Sequence, residues 1–187
     1  MLSIGRLESY KGHDRIIEAL PALRRRHPEA RLRIVGSGPH EPRLRRLAAE
    51  LGVAEAVDIA PLADGDRREL AELLGRAAVV TALSQYESQG LAVQEAIGLG
   101  RPVVVNEGSA LDELASASHR FQLDVYPNVL TVSGLARSDE IADAVSRALH
   151  ASPVEPPSMQ TWDDCVDALV KVYAAAMSQE TGPRARP

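Results

Sequence analysis

Two glutamates near one predicted turn of the chain have the clearest chemical potential. Glu87 lies in a polar loop after an apolar run, and Glu95 lies about one turn into the helix that starts near Gln89. Carboxylates only accept hydrogen bonds, so they pair well with hydroxyl groups. The unpaired N–H groups at the start of that helix suit an anion instead. A nucleotide sugar carries hydroxyl groups next to phosphate, so these residues together indicate a ligand of that kind.

Two cations flank the loop after the first predicted strand. Arg6 and Lys11 would both lie at the carboxyl edge of a parallel sheet, where α/β proteins bind ligands. Arginine offers a fork of donors and lysine a point charge, so the pair could clamp a diphosphate. The spacing alone favours a simpler interpretation, in which both are solvated surface cations.

The same glutamates are compatible with other chemistry. Glu87 and Glu95 could form the acid–base pair of a glycoside hydrolase, or be two solvated residues of a helix face. Serine hydrolase chemistry is disfavoured because neither Ser84 nor Ser88 lies in a G-x-S-x-G elbow. The position of the glutamates at a ligand-binding turn favours the nucleotide-sugar hypothesis.

A glycine pair follows the second predicted strand. Gly36 and Gly38 do not complete a dinucleotide-binding motif, because the third glycine of G-x-G-x-x-G would fall at Glu41. We interpret them as a tight turn that lets either a ligand or the backbone approach closely.

No metal site or cofactor is predicted. The five histidines share no spacing, and Cys165 is the only cysteine, so no cluster of metal ligands is recognisable. His13 lies at a helix start beside the predicted phosphate loop. It would either donate to a ligand there or serve as a capping or exposed residue.

The elements that position these residues alternate between strand and helix. Strands are predicted over residues 2–7, 31–35, 57–60, 78–83, 103–105 and 129–132. Helices are predicted over residues 13–26, 41–51, 66–76, from 89 onward, 111–115, 139–150 and 162–177. This alternation predicts an α/β fold with a Rossmann-like, doubly wound, six-stranded and mostly parallel sheet. We expect a nucleotide-sugar-binding domain over 1–151, a linker and closing helix over 152–178, and a disordered tail over 179–187.

The bulk composition excludes several classes of function. A net charge of −5 and an aromatic content of 3% argue against a nucleic-acid partner. No apolar stretch approaches the ~20 residues that span a bilayer. The first residues read as a strand and not as a signal peptide, and a single cysteine suits a reducing compartment. We therefore expect a cytoplasmic protein.

The motifs in order resemble those of family 4 (group 1) GT-B retaining glycosyltransferases, specifically the C-terminal domain that binds the donor. The matching segments are Gly5-Arg6-Leu7 with Lys11-Gly12, Gly36-Ser37-Gly38-Pro39, the E-x7-E pair Glu87 and Glu95, and Gly100-Arg101-Pro102. The resemblance covers nearly the whole chain.

The resemblance implies roles for individual residues. Arg6 and Lys11 would bind the donor diphosphate, and Glu95 would accept hydrogen bonds from the ribose. Glu87, with the backbone of residues 88–91, would hold the donor sugar, and backbone near residues 61–62 would meet the base. The implied donor site comprises Arg6, Lys11, Gly36, Gly38, Pro61, Leu62, Glu87, Ser88, Gln89, Gly90, Leu91 and Glu95, with Glu87, Arg6 and Lys11 as its catalytic group. The family is metal-independent.

The resemblance also implies a partner. Family members carry an N-terminal acceptor domain, whereas this chain begins at what resembles the first strand of the second domain. We expect that domain in cis or as a separate chain, with peripheral membrane contact only through it. The isolated chain would bind donor but transfer sugar poorly. A homodimer through the face that the absent domain leaves uncovered is a further expectation.

The alternatives to a donor-binding half are a non-catalytic nucleotide-sugar-binding module or subunit, an epimerase or phosphorylase of the same fold, and a structural partner protein.

Overall fold

Strands and helices alternate along the chain, as the sequence predicts. In the computed structural model the strands are β1 (Leu2–Ile4), β2 (Leu32–Val35), β3 (Val57–Ala60), β4 (Val80–Ala82), β5 (Val103–Asn106) and β6 (Val129–Val132). The α-helices are α1 (His13–Arg26), α2 (Glu41–Glu50), α3 (Arg67–Arg76), α4 (Leu91–Gly98), α5 (Ser138–Leu149) and α6 (Trp162–Gln179). The structure describes residues 1–63, 66–115, 126, 128–151, 154–156 and 161–179.

The six strands form one parallel sheet in the order β3-β2-β1-β4-β5-β6. This confirms the predicted Rossmann-like α/β class. The direction of winding reverses between β1 and β4, the strand pair at which open α/β sheets place their ligands. On the covering layers, α1 packs against α2 and α5, and α3 packs against α4.

The central strands are buried on both faces, which is why they are continuous apolar runs. All four residues of β5 are buried. In α1, the residues Ile16, Ile17, Leu20 and Leu23 recur at helical spacing and are all buried. Each such side chain contributes roughly 1.5–3 kcal/mol by leaving water. The core therefore fixes α1 against the sheet, and with it the loop that precedes α1.

Three predicted elements differ from the structure near the candidate site. The strand predicted over 2–7 ends at Ile4, because Leu7 instead donates its N–H to the carbonyl of Ser37. The helix predicted from residue 89 begins at Leu91, because Gly90 has a left-handed backbone and ends the preceding loop. The helix predicted over 111–115 is a single 3-10 turn, Asp112–Leu114.

The chain divides into two compact units, Met1–Pro157 and Ser158–Pro187. In the second unit, α6 is capped by Thr161, whose Oγ1 accepts a hydrogen bond from the backbone N–H of Asp164 at 3.2 Å. Its large apolar side chains, Trp162 among them, are exposed. Most of the predicted linker and tail fall on residues 152–153, 157–160 and 180–187, which lie outside the described residues. No helix of the described part is long and apolar enough to cross a bilayer.

Candidate functional site

A cleft of about 300 Å³ opens at the carboxyl ends of β1 and β4, where the winding of the sheet reverses. Its floor comes from the ends of those strands and its walls from the loops that follow them. The lining residues are Ile4, Gly5, Lys11, Ala82, Glu87, Ser88, Gln89, Gly90, Leu91, Ala92 and Val93. The cleft therefore brings together six of the predicted site residues, Lys11 and the five from Glu87 to Leu91.

An ion pair spans the cleft. The ammonium group of Lys11 donates to Oε2 of Glu87 at 2.8 Å, and the two side chains are only 18% and 19% exposed. Lys11 also lies 5.5 Å from the ring centroid of Tyr10, which adds a cation–π contact. Partial burial shields this pair from solvent screening, so the cleft holds one strong donor and one strong acceptor side by side.

Two contacts hold the loop that carries Lys11 against the segment after β4. Tyr10 accepts a hydrogen bond from the backbone N–H of Gln85 at 2.8 Å, which ties the loop to the segment after β4. Gly12 adopts φ +71°, and a Cβ added there would lie 2.1 Å from the carbonyl oxygen of Leu83. Only glycine fits this contact, because it tolerates the left-handed backbone and has no side chain. The close approach fixes the origin of α1 and the position of Lys11.

The start of α4 forms the opposite wall. Gly90 precedes the helix with φ +60°, and within the described residues no side chain caps the helix. A Cβ added at Gly90 would lie 2.4 Å from Cδ2 of Leu111, the end of a side chain that can shift, so the left-handed backbone is the stronger reason for glycine here. Because the first three residues of α4 line the cleft, the first N–H groups of the helix and the positive end of its dipole lie at the edge of the cleft.

Arg6 lies on the same loop as Lys11, but its side chain is not among those lining the cleft. The guanidinium group is exposed and donates to the hydroxyl of Tyr10 at 2.7 Å. The loop thus carries both predicted cations and directs only Lys11 into the cavity.

Gly36 and Gly38 contact protein backbone. A Cβ at Gly36 would lie 1.9 Å from the carbonyl oxygen of Gly5, and one at Gly38 would lie 2.6 Å from that of Leu7. Of the two interpretations of this turn, close approach of the backbone describes what the structure shows. The pair acts by letting the loop after β1 lie flat against the loop after β2.

Pro61 and Leu62 follow β3 at the edge of the sheet, on the far side of β2 from the cleft. Pro61 is exposed and Leu62 half-buried. They share the carboxyl edge of the sheet with Lys11 but do not line the same cavity.

Glu95 lines a second cavity, a groove of about 370 Å³ between α3 and α4. Its Oε1 accepts a hydrogen bond from Nη2 of Arg67 at 2.6 Å. The groove is otherwise apolar, with Leu70, Ala71, Leu74, Gly98 and Leu99 in its walls. Glu87 and Glu95 therefore face different cavities, and this arrangement gives no support to an acid–base pair of the glycoside hydrolase type.

Comparison with known proteins identifies the family. Residues 1–158 match the family model for "Glycosyl transferases group 1". The chain belongs to this glycosyltransferase family. The match confirms the resemblance that the order of motifs indicates.

Relatives of this group 1 glycosyltransferase chain are longer than it is. It is 35% identical to a glycogen synthase of Mycobacterium tuberculosis over its whole length, which is 45% of that enzyme. The C-terminal domain of the group 1 glycosyltransferase LpcC from Francisella tularensis superposes with a TM-score of 0.65 at 18% identity, covering 80% of this chain and 75% of that one. The Anabaena protein Alr3699/HepE, in complex with UDP, superposes with a TM-score of 0.63 at 20% identity, covering 80% of this chain and 38% of that one.

Three contacts of the glycosyltransferase chain were not predicted from its sequence. The Lys11–Glu87 pair joins residues 76 positions apart, and the Arg67–Glu95 pair joins residues 28 positions apart. The third is the burial of His13 beneath the loop after β1. The sequence shows that these residues are polar, but it does not show their partners, because each contact depends on how distant segments of the chain meet. Within the described residues, no group of three or more metal-ligating side chains is present.

Proposed function

We propose that this chain is the donor-binding part of a glycosyltransferase that transfers sugar from a nucleotide-diphosphate sugar to an acceptor with retention. The observation that carries the proposal is the cleft at the switch point. It places Lys11 and Glu87 2.8 Å apart, beside the uncapped start of α4.

The diphosphate would lie between Lys11 and the start of α4. A phosphate oxygen offers Lys11 an anionic partner equivalent to the carboxylate it now contacts, and the α4 amides offer further donors. Arg6 is on the same loop and exposed, so its long side chain is free to turn from Tyr10 toward the same anion. These groups would stabilise the negative charge that grows on the departing nucleoside diphosphate, without a metal ion.

The donor sugar would lie against Glu87. Once Lys11 turns to phosphate, Glu87 retains oxygens that accept hydrogen bonds from sugar hydroxyls. The backbone of Ser88, Gln89, Gly90 and Leu91 lines the same wall and offers N–H groups. Glu87 thus exchanges one donor for another, which lowers the desolvation cost of placing a sugar in the cleft.

The nucleoside would extend along the edge of the sheet toward β3. Pro61 and Leu62 lie in the connection from β3 to α3, and the first residue of α3 is Arg67, the partner of Glu95. A ribose near the start of α3 would meet Glu95 if Arg67 moved aside. The UDP complex of Alr3699/HepE, which has the same fold, supports a nucleotide as ligand.

An acceptor domain would complete the enzyme, in cis or as a separate chain. The chain spans about 45% of the glycogen synthase that it matches over its full length. Holding donor and acceptor in position provides much of the rate enhancement in group transfer. The isolated chain would therefore bind donor and transfer sugar slowly or not at all. We place this activity in the cytoplasm.

Calorimetric titration with UDP, GDP and their sugar conjugates tests the proposal. We expect one site per chain for at least one nucleotide, with competition between the nucleotide and its sugar conjugate. Absence of heat and of competition at millimolar nucleotide would contradict donor binding. Efficient transfer to an acceptor by this chain alone would contradict the need for an acceptor domain.

A further inference from the structure

A buried histidine lies directly under the loop that carries both cations. His13 is the first residue of α1 and is only 2% exposed. Its Nδ1 lies 2.9 Å from Oγ of Ser3 in β1, and its Nε2 lies 3.3 Å from the carbonyl oxygen of Arg6. The imidazole therefore connects the central strand of the sheet with the backbone of the loop.

The surroundings determine the protonation of this ring. The Arg6 carbonyl can only accept, so Nε2 carries a proton and donates it. Burial lowers the pKa of His13 and outweighs the opposing influence of the Arg6 carbonyl and of Asp14, while Lys11 acts in the same direction as burial. The ring is consequently neutral near pH 7, and Nδ1 accepts a hydrogen bond from the Ser3 hydroxyl.

The ring of His13 lies close to a residue that lines the cleft. A Cβ added at Gly5 would lie 3.8 Å from Nε2 of His13 and 3.8 Å from Cδ of Lys11. Gly5 and Lys11 both line the cleft, whereas His13 does not. The imidazole thus lies next to Gly5, a residue that lines the cleft, without lining the cleft itself.

We propose that His13 is a positioning residue for diphosphate binding, which acts by holding the Arg6 peptide and through it the cations Arg6 and Lys11. The inference rests on the proposed function. Ser3 orients the ring, the ring fixes the loop, and the loop presents the charges. The residue itself does not contact ligand.

Two substitutions of His13 separate its two hydrogen bonds. His13→Gln can place an amide donor where Nε2 lies and so preserve the bond to Arg6. His13→Asn reaches only as far as Nδ1, so it preserves the contact with Ser3 and loses the bond to Arg6. We expect His13→Asn to raise the Kd for UDP or GDP by about fivefold, the effect of one lost hydrogen bond. We expect His13→Gln to stay within about twofold of wild type.

A double-mutant cycle tests whether His13 acts through Arg6. In the Arg6→Ala background, His13→Asn should weaken nucleotide binding by less than it does in the wild-type chain, because coupled residues are not additive. If His13→Asn does not fold, Ser3→Ala serves instead, because it removes the donor that orients the ring. We expect Ser3→Ala to weaken nucleotide binding by roughly twofold.

These experiments separate an error in the positioning role of His13 from an error in the proposed function. If the wild-type chain binds neither UDP nor GDP, both the function and this inference are wrong. If it binds one of them and the Gln and Asn variants bind equally well, with losses only in melting temperature, only the positioning role is wrong. Nitrogen-15 NMR of the unliganded chain provides a check without ligand, since a proton on Nδ1 and none on Nε2 would also overturn the inference.

Discussion

Glu87 and Glu95 are eight positions apart and flank the start of the same short helix, yet their surroundings differ. Glu87 pairs with Lys11 inside a cleft where both side chains are less than a fifth exposed. Glu95 pairs with Arg67, whose side chain is 80% exposed, at one end of an apolar groove. One contact is shielded and the other is largely screened by solvent.

The difference shows that two carboxylates at a short spacing can lie in different cavities. Glu87 lies in the loop before α4 and projects toward β1, whereas Glu95 lies on the helix and faces α3. A shielded pair holds Lys11 in place against the carboxylate of Glu87. A screened pair is weak, so Glu95 loses little free energy when it exchanges Arg67 for another partner.

The cleft side depends on a backbone contact that only glycine permits. Gly12→Ala would place a methyl group 2.1 Å from a backbone oxygen, and we expect a loss of about 3 kcal/mol in the free energy of unfolding. Gly52→Ala is the matched control, because Gly52 has a similar φ of +67° with nothing within 4 Å of the added atom. It should cost only about 1 kcal/mol in chemical denaturation. Equal losses would mean that strain of the left-handed backbone, and not the contact with Leu83, explains the glycine.

Removing the shielded cation should have the largest effect on ligand binding. We expect Lys11→Ala to raise the Kd for UDP or GDP by more than about tenfold, since a charge-assisted contact with phosphate is lost. Arg68→Ala removes the same charge from an exposed pair on α3 and should leave the Kd unchanged. The Kd values are measured by calorimetry. If both variants lost affinity to a similar extent, Lys11 would contribute only through the net charge of the chain and not through a specific contact.

Neutralising each carboxylate should affect different ligands. We expect Glu95→Gln to raise the Kd for the free nucleoside diphosphate and for the sugar conjugate alike, by about fivefold, since one hydrogen bond to the ribose is lost. Glu87→Gln should weaken binding of only the sugar conjugate, and it should not weaken binding of the free nucleotide, since the phosphate then has a weaker competitor for Lys11. If each variant lost affinity for both ligands equally, the proposed division of tasks between the two glutamates would be wrong.

The screened pair should contribute least to stability. We expect Arg67→Ala to change the free energy of unfolding by less than about 0.5 kcal/mol, as is usual for an exposed ion pair. Nucleotide binding should become slightly tighter, because Glu95 no longer has a competing partner. A clear loss of affinity would instead make Arg67 a ligand contact.

Local patterns predicted most of the fold. The bounds of α1 follow from the spacing of Ile16, Ile17, Leu20 and Leu23, and the parallel sheet follows from short apolar runs between helices. The end of β1 was predicted three residues too far along the chain, because Gly5-Arg6-Leu7 turns away to bond the loop after β2. That turn depends on a distant segment, which a local pattern does not contain.

The candidate site was predicted by residue type more than by arrangement. Lys11, Glu87 and the residues up to Leu91 meet in one cleft because they follow neighbouring strands of a parallel sheet. Their pairing depends on packing across 76 residues. The separate cavity of Glu95 depends on how α3 lies against α4, and no spacing within α4 indicates it.

Amide NMR during titration of the wild-type chain with UDP or GDP shows where the nucleotide binds. If it binds in the cleft between β1 and β4, we expect saturable shifts of Gly5, Lys11, Gly12 and the amides from Ser88 to Leu91, together with smaller shifts around Arg67. Shifts confined to the groove between α3 and α4, with none in the loop after β1 or at the start of α4, would contradict binding in the cleft.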